Sequence, residues 1–225
     1  MKKQILLFGL SANPPTFIGG HLSIASYFSR IYDEVWMIPV YRHPYTSKRK
    51  LISFDERVDM LRFSIDDCKE IVNNNVKVSL IEKEAFEALF PGKSFDDPSI
   101  SLIEYIYTKY PQEEYQFHLY CGTDTFLDIL DGKWLNSKEL MEIVIIDICM
   151  RKGYNESFPQ LEDPYQYIHY YKGDTIVMDS TKHPIYIHCP ELKEISSQTD
   201  VSSISPYISP QTLNYILNHH LYGFQ

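Results

Sequence analysis

Ile5-Leu6-Leu7-Phe8-Gly9-Leu10-Ser11-Ala12-Asn13-Pro14-Pro15-Thr16-Phe17-Ile18-Gly19-Gly20-His21 is the stretch that decides the reading of this chain. A short apolar run ends in glycine, a loop with two prolines and a glycine pair follows, and then Leu22, Ala25, Tyr27, Phe28 and Ile31 recur at roughly helical spacing. The order is strand, loop, helix. No G-x-G-x-x-G fingerprint is present, although the loop stands where one would be expected. It offers instead a glycine pair that admits an anion to the backbone, beside an imidazole at a helix start. Exposed amides, the positive end of the helix dipole and a His donor together predict a phosphate site at Gly19, Gly20 and His21.

Working outward, Glu34 to Pro39 reads as a second strand stopped by proline, and Val40 to Ile52 as a basic, turn-rich loop. Ser53, with Glu56 three residues on, reads as the N-cap of a helix through Val58, Leu61 and Ile65. Val76 to Ile81 predicts a third strand, Pro98 to Lys109 a helix, and Gln116 to Cys121 a fourth strand ending at Gly122. Short helices are predicted at Thr123 to Leu130 and Ser137 to Met141. Ile143 to Met150 is a nearly continuous apolar run, as for a strand covered on both faces. Ile185 to Cys189 predicts another strand, and Pro210 to Asn218 a helix with proline at its first position. The alternation predicts an α/β, Rossmann-like fold: a parallel sheet of five or six strands flanked by helices. We expect one domain over 1–225, with 155–183 as an insertion or lid and 184–225 belonging to the same unit.

The chain has 225 residues, enough to bury about 70 to 75% of the surface its unfolded form exposes, so neither disulfide nor metal is required. Thirty acidic residues against 21 basic ones give a net charge of −9, which argues against non-specific nucleic-acid binding. Any polyanionic ligand must therefore meet a local basic cluster. Arg42, His43, Lys48, Arg49 and Lys50 supply one, five basic residues within nine positions. They read either as an electrostatic funnel for phosphates or as a solvated loop. Cys68, Cys121, Cys149 and Cys189 lack zinc-finger spacing, so free thiols in a reducing compartment are expected. The apolar run after Lys3 is too short for a signal peptide, and no run of 18 apolar residues occurs, which predicts a soluble, cytoplasmic protein with no membrane partner.

The first loop resembles the nucleotidyltransferase superfamily, whose signature is a G-x-F-x-P stretch followed by (H/T)-x-G-H after the first strand. Further segments narrow the resemblance to the nicotinate or nicotinamide mononucleotide adenylyltransferases. Pro39 through Lys48, with Arg57 and Met60, resembles that family's basic loop and following helix. Pro98-Ser99-Ile100-Ser101 resembles its Pro/Ser-Thr-x-Asp helix start, and Gly122-Thr123-Asp124 with Trp134 its G-x-D…W motif. Arg151-Lys152-Gly153-Tyr154 resembles its Arg-x-Gly-Tyr turn, Ile195-Ser196-Ser197 its I-S-S-T-x-x-R motif, and Pro210 to Tyr222 its C-terminal helix.

That resemblance implies adenylyl transfer from ATP to a pyridine mononucleotide, with Mg²⁺, in NAD synthesis. It implies His21 and Lys48 as catalytic groups. Gly9, Ser11, Thr16, Gly19, Gly20, Arg57, Ser196 and Ser197 are then expected at the ATP phosphates. Asn13, Gly122, Asp124, Trp134 and Arg151 are expected at the mononucleotide, and no protein-held metal is expected. Taken without the resemblance, Asp124 also suits a helix cap and Trp134 a core aromatic. The attacking phosphate is already ionised at neutral pH, so the reaction needs alignment and charge dispersal rather than a general base.

The sequence departs from the family pattern in two places. The first loop is two residues longer, so the first member of (H/T)-x-G-H is either Thr16, displaced, or lost to Ile18. The arginine expected after Ser196-Ser197 falls at Val201, with Lys152 or Lys182 as candidate substitutes. Loss of such a donor costs roughly 10²-fold in rate. The alternatives are a related nucleotidyltransferase acting on another phosphate, or a non-catalytic nucleotide-binding module. The choice between acid and amide forms of the pyridine, and the oligomeric state, are not readable from sequence.

Overall fold

The computed structural model describes residues 1–17, 20–42, 51–91, 98–149, 168–171 and 201–224. Six parallel strands form one sheet: β1 (Lys3–Leu10), β2 (Glu34–Pro39), β3 (Val76–Val78), β4 (Tyr115–Gly122), β5 (Ile145–Cys149) and β6 (Ile168–Tyr171). Their order is β3-β2-β1-β4-β5-β6. The chain first builds outward from β1 through β2 to β3, then returns to the other side of β1 with β4. The strand order therefore reverses between β1 and β4, and such a switch point opens a crevice at the carboxyl edge of a parallel sheet.

Period-two alternation distributes the strand side chains to the two faces. Leu6, Phe8 and Leu10 of β1 join Val35 and Met37 of β2 in one cluster, with Leu22, Ala25 and Phe28 of helix α1 (His21–Phe28) and Leu61 of α2 (Phe54–Asp67). Ile5 and Leu7 join Trp36, Ile38, Phe117, Ile146 and Ile148 on the opposite face. That face is covered by α4 (Pro98–Lys109), α5 (Thr123–Leu130) and α6 (Ser137–Ile143), which contribute Ile103, Phe126 and Leu140. A third cluster centres on Met60 of α2. It receives the C-terminal segment: α7 (Val201–Ile204), a 3₁₀ turn (Ser205–Tyr207), α8 (Pro210–Asn218) and a second 3₁₀ turn (Leu221–Gly223).

The predicted capping box is present: the Ser53 hydroxyl accepts the Glu56 N–H, and the Glu56 carboxylate accepts the Ser53 N–H. Two expectations change. The third strand stops at Val78, and Ile81 opens helix α3 (Ile81–Leu89) rather than ending a strand. Ile81, Ala85 and Phe86 lie on one buried face of that helix, a spacing that the alternating Val76, Val78 and Leu80 disguise. The stretch 155–183 contains β6, paired in parallel with β5, so part of it extends the sheet. The strand predicted at Ile185 to Cys189 lies outside the described residues. Among the described residues no helix is long and apolar enough to cross a membrane.

Candidate active site

The site is built where β1 leaves the sheet. Gly9 is exposed between buried Phe8 and Leu10, and a Cβ placed on it would meet nothing within 4 Å. The missing side chain leaves room against the strand at its carboxyl end. The chain then turns through Ala12, whose φ of 51° lies in the left-handed region, and Thr16 and His21 are brought into contact.

Three hydrogen bonds join that pair. The Thr16 main-chain N–H donates to His21 Nδ1 at 3.0 Å, and the Thr16 hydroxyl lies 2.7 Å from the same nitrogen. The hydroxyl oxygen also accepts the His21 main-chain N–H at 2.9 Å. A backbone N–H only donates, so Nδ1 is an acceptor and the neutral ring carries its proton on Nε2. The imidazole is thus oriented as a donor through Nε2. Thr16 is fully buried and His21 is 7% exposed, so the pairing is shielded from competing water.

Thr16 also satisfies the start of α1: its hydroxyl takes the N–H of His21 and its carbonyl the N–H of Leu22, at 3.2 Å. The exposed amides expected at this helix start are therefore corrected in part: its first two amides are bonded to Thr16. Of the two candidates for the first motif position, Thr16 hydrogen-bonds His21, and Ile18 lies outside the described residues. Gly20 is tightly constrained, since a Cβ there would lie 2.0 Å from the Thr16 hydroxyl oxygen.

Asn13 and Arg57 lie behind this loop. Asn13, 3% exposed, accepts through Oδ1 from the Ile52 N–H at 3.3 Å and from the Tyr222 hydroxyl at 3.0 Å. Arg57 is 1% exposed; it donates from Nη1 to the Ser11 carbonyl at 2.8 Å and from Nε to the Ile52 carbonyl at 3.2 Å. Burial lowers its pKa, opposed by Tyr222 and Glu82. In this structure the guanidinium thus ties the first loop to the residues preceding α2. Sequence reasoning missed Glu82 because the predicted third strand ends at Ile81 and no helix is predicted after it. Its Oε1 accepts the Tyr41 N–H at 3.0 Å, and burial pushes its carboxyl up to about 7 against the pull of that bond and of Arg57. Arg42, the described member of the basic stretch, lies 4.5 Å from the Phe86 ring centroid.

Across the switch point, Gly122 ends β4 and is the N-cap residue of α5. Asp124 is half-buried in the first turn of that helix, where a carboxylate is favoured by the dipole, and it is not the N-cap. Trp134 is partly buried and packs against the cluster containing Phe126, Ile129 and Leu140. Val201 opens α7 and packs beside the Met60 cluster. Gly19, Lys48, Arg151, Lys152, Lys182, Ser196 and Ser197 lie outside the described residues. Among the described residues no group of three or more His, Cys, Asp or Glu is placed to hold a metal ion.

Comparison with known proteins places this geometry in context. The family model described as cytidylyltransferase-like matches residues 7–200. A probable nicotinate-nucleotide adenylyltransferase of Shouchella clausii (strain KSM-K16) is 30% identical over 158 residues, covering 67% of this chain and 70% of that protein. The protein of the same description in Bacillus pumilus (strain SAFR-032) is 27% identical over 157 residues, 69% of this chain and 73% of its own. One from Flavobacterium johnsoniae is 23% identical over 212 residues, 90% and 91% of the two chains. The solved Plasmodium falciparum nicotinic acid mononucleotide adenylyltransferase complexed with NaAD shares the fold, with a TM-score of 0.72 at 21% identity over 99% of this chain and 98% of that one.

Proposed function

Because this chain belongs to the cytidylyltransferase-like family, and so is a nucleotidyltransferase, we propose that it joins ATP to nicotinate mononucleotide, giving the dinucleotide and pyrophosphate in NAD synthesis. The acid form of the pyridine follows the names of its relatives. A phosphate oxygen of the mononucleotide attacks the α-phosphorus of ATP, the bond from that phosphorus to the bridging β-phosphate oxygen breaks, and pyrophosphate leaves with the electron pair. No proton has to be removed first, since the second phosphate pKa is about 6.

The chain's task is then to align two anions and disperse charge. The observation that carries the proposal is the Thr16–His21 pairing in the loop that follows β1, which fixes the imidazole with Nδ1 as acceptor and Nε2 as donor. In this reading His21 donates through Nε2 to the phosphates as charge develops. Lys48, Gly19, Ser196 and Ser197 complete the triphosphate contacts, while Asp124, Gly122, Trp134 and Arg151 face the mononucleotide. Ser11, Gly20, Asn13 and Arg57 shape the loop that holds it. Among the described residues no group of three or more His, Cys, Asp or Glu is placed to hold a metal, and Mg²⁺, when bound with ATP, would supply charge neutralisation at the triphosphate. In this reading residues 1–225 work as one domain, and the use of ATP as a substrate supports a cytoplasmic site of action.

The test is pyrophosphate release from ATP with nicotinate mononucleotide, with the amide form and phosphopantetheine in parallel. The proposal predicts fastest turnover with the nicotinate substrate. Release only with phosphopantetheine, or ATP binding without release, would overturn it.

A further inference from the structure

The C-terminal segment is anchored on α2 and touches the first loop at two points that bracket Thr16. The anchor is dense: the Thr212 hydroxyl donates to the Met60 carbonyl at 2.9 Å and lies 2.9 Å from the Ser64 hydroxyl. Gln211 donates from its main chain to Asp67 at 2.8 Å, and Ile204, Ile208, Ile216, Leu221 and Phe224 close around Met60. From this base the Tyr207 carbonyl accepts the Phe17 N–H at 2.8 Å, and the Tyr222 hydroxyl donates to Asn13 Oδ1 at 3.0 Å. Phe17 directly follows Thr16, and Asn13 precedes it by three residues. Tyr222 adopts φ 58° and ψ 20°, a left-handed conformation that costs a non-glycine residue about 1 kcal/mol or more and that brings its ring to the loop.

We propose that Tyr222 is a positioning residue for adenylyl transfer: with the Tyr207 carbonyl, its hydroxyl holds the loop carrying Thr16 in the shape that orients His21. The inference rests on the functional reading above. It assigns a role in the site to a residue 201 positions after His21, without contact with substrate. Asn13 shares one acceptor oxygen between the Ile52 N–H and the Tyr222 hydroxyl, so losing the hydroxyl removes one of the two bonds at that oxygen and loosens Asn13 in the loop.

Tyr222→Phe removes only the hydroxyl. We expect kcat/KM for ATP to fall about five-fold, as for loss of one neutral hydrogen bond. Amide exchange at Phe17 and Ile52 should accelerate several-fold while Tm changes little. Tyr215→Phe, in the same segment but stacked on His219, should match the unaltered protein in all three measurements. Combining Tyr222→Phe with Asn13→Ala should add nothing to the Asn13→Ala loss, because both act through one bond. Wild-type exchange and rates in Tyr222→Phe, or losses that multiply in the double variant, would overturn the assignment. Amide exchange is read without turnover, so it decides this inference even if nicotinate mononucleotide proves not to be the substrate.

Discussion

Replacing Thr16 by valine keeps a branched side chain of nearly the same shape and deletes a single oxygen. That oxygen accepts the His21 main-chain N–H at 2.9 Å and lies 2.7 Å from Nδ1, in a position with no solvent exposure. The variant leaves the His21 N–H buried without its acceptor, which costs about 1 to 3 kcal/mol, offset by roughly 0.8 kcal/mol for the methyl group it buries. The net loss of roughly 0 to 2 kcal/mol corresponds to a Tm drop of at most about 8 °C for a chain of this size. The kinetic loss should be larger in proportion. The Thr16 N–H still reaches Nδ1 at 3.0 Å, so the tautomer survives, but the ring is held at one point instead of two. We expect kcat to fall about ten-fold with a smaller change in KM for ATP, because the donor acts mainly as charge develops in the transition state. Thr16→Ser, which restores the oxygen, should recover most of the rate. Steady-state pyrophosphate release, with the imidazole nitrogen shifts followed by NMR, measures both parts. A kcat within two-fold of the unaltered protein in Thr16→Val would refute the view that this hydroxyl sets the imidazole.

Two further substitutions test the surroundings. Gly20→Ala places a methyl group 2.0 Å from the Thr16 hydroxyl oxygen and 2.5 Å from Thr16 Cβ, so Thr16 must move; thermal melts should show a loss of about 1 to 3 kcal/mol, and kcat should fall further than in Thr16→Val. Glu82→Gln addresses pH. Burial, only partly offset by the Tyr41 N–H and Arg57, raises the carboxyl to about 7, so the folded protein keeps a proton that the unfolded chain releases from about pH 4.5 upward. This contribution is greatest below the unfolded value and is lost as pH rises through 7. Glutamine should therefore stabilise the protein by about 1 to 3 kcal/mol at pH 8 and change little at pH 4.5, as read from urea unfolding at the two pH values.

The sheet was legible because its signals are local. Ile5 and Leu7 alternate with Leu6 and Phe8, and the two pairs end in different clusters; Ser53 and Glu56 form their box within one turn. Helix α3 was hidden because Val76, Val78 and Leu80 keep a strand period up to its first residue, although Ile81, Ala85 and Phe86 already stand at helical spacing among strong helix formers. In the site, His21 and Gly20 stood out by residue type, whereas the partner of His21 depended on a turn at Ala12 that no motif spacing encodes. The resemblance implies Arg57 as a phosphate contact, whereas its bonds to the Ser11 and Ile52 carbonyls arise from tertiary packing that no motif encodes. The Asn13–Tyr222 bond joins residues 209 positions apart, beyond any local pattern.

The most direct trial of the account compares pyrophosphate release from ATP and nicotinate mononucleotide by the unaltered protein and by His21→Ala. Removal of a transition-state donor predicts a kcat lower by about 10²-fold or more with the fold intact. Equal rates for the two proteins would contradict the assignment of His21 to the reacting phosphates.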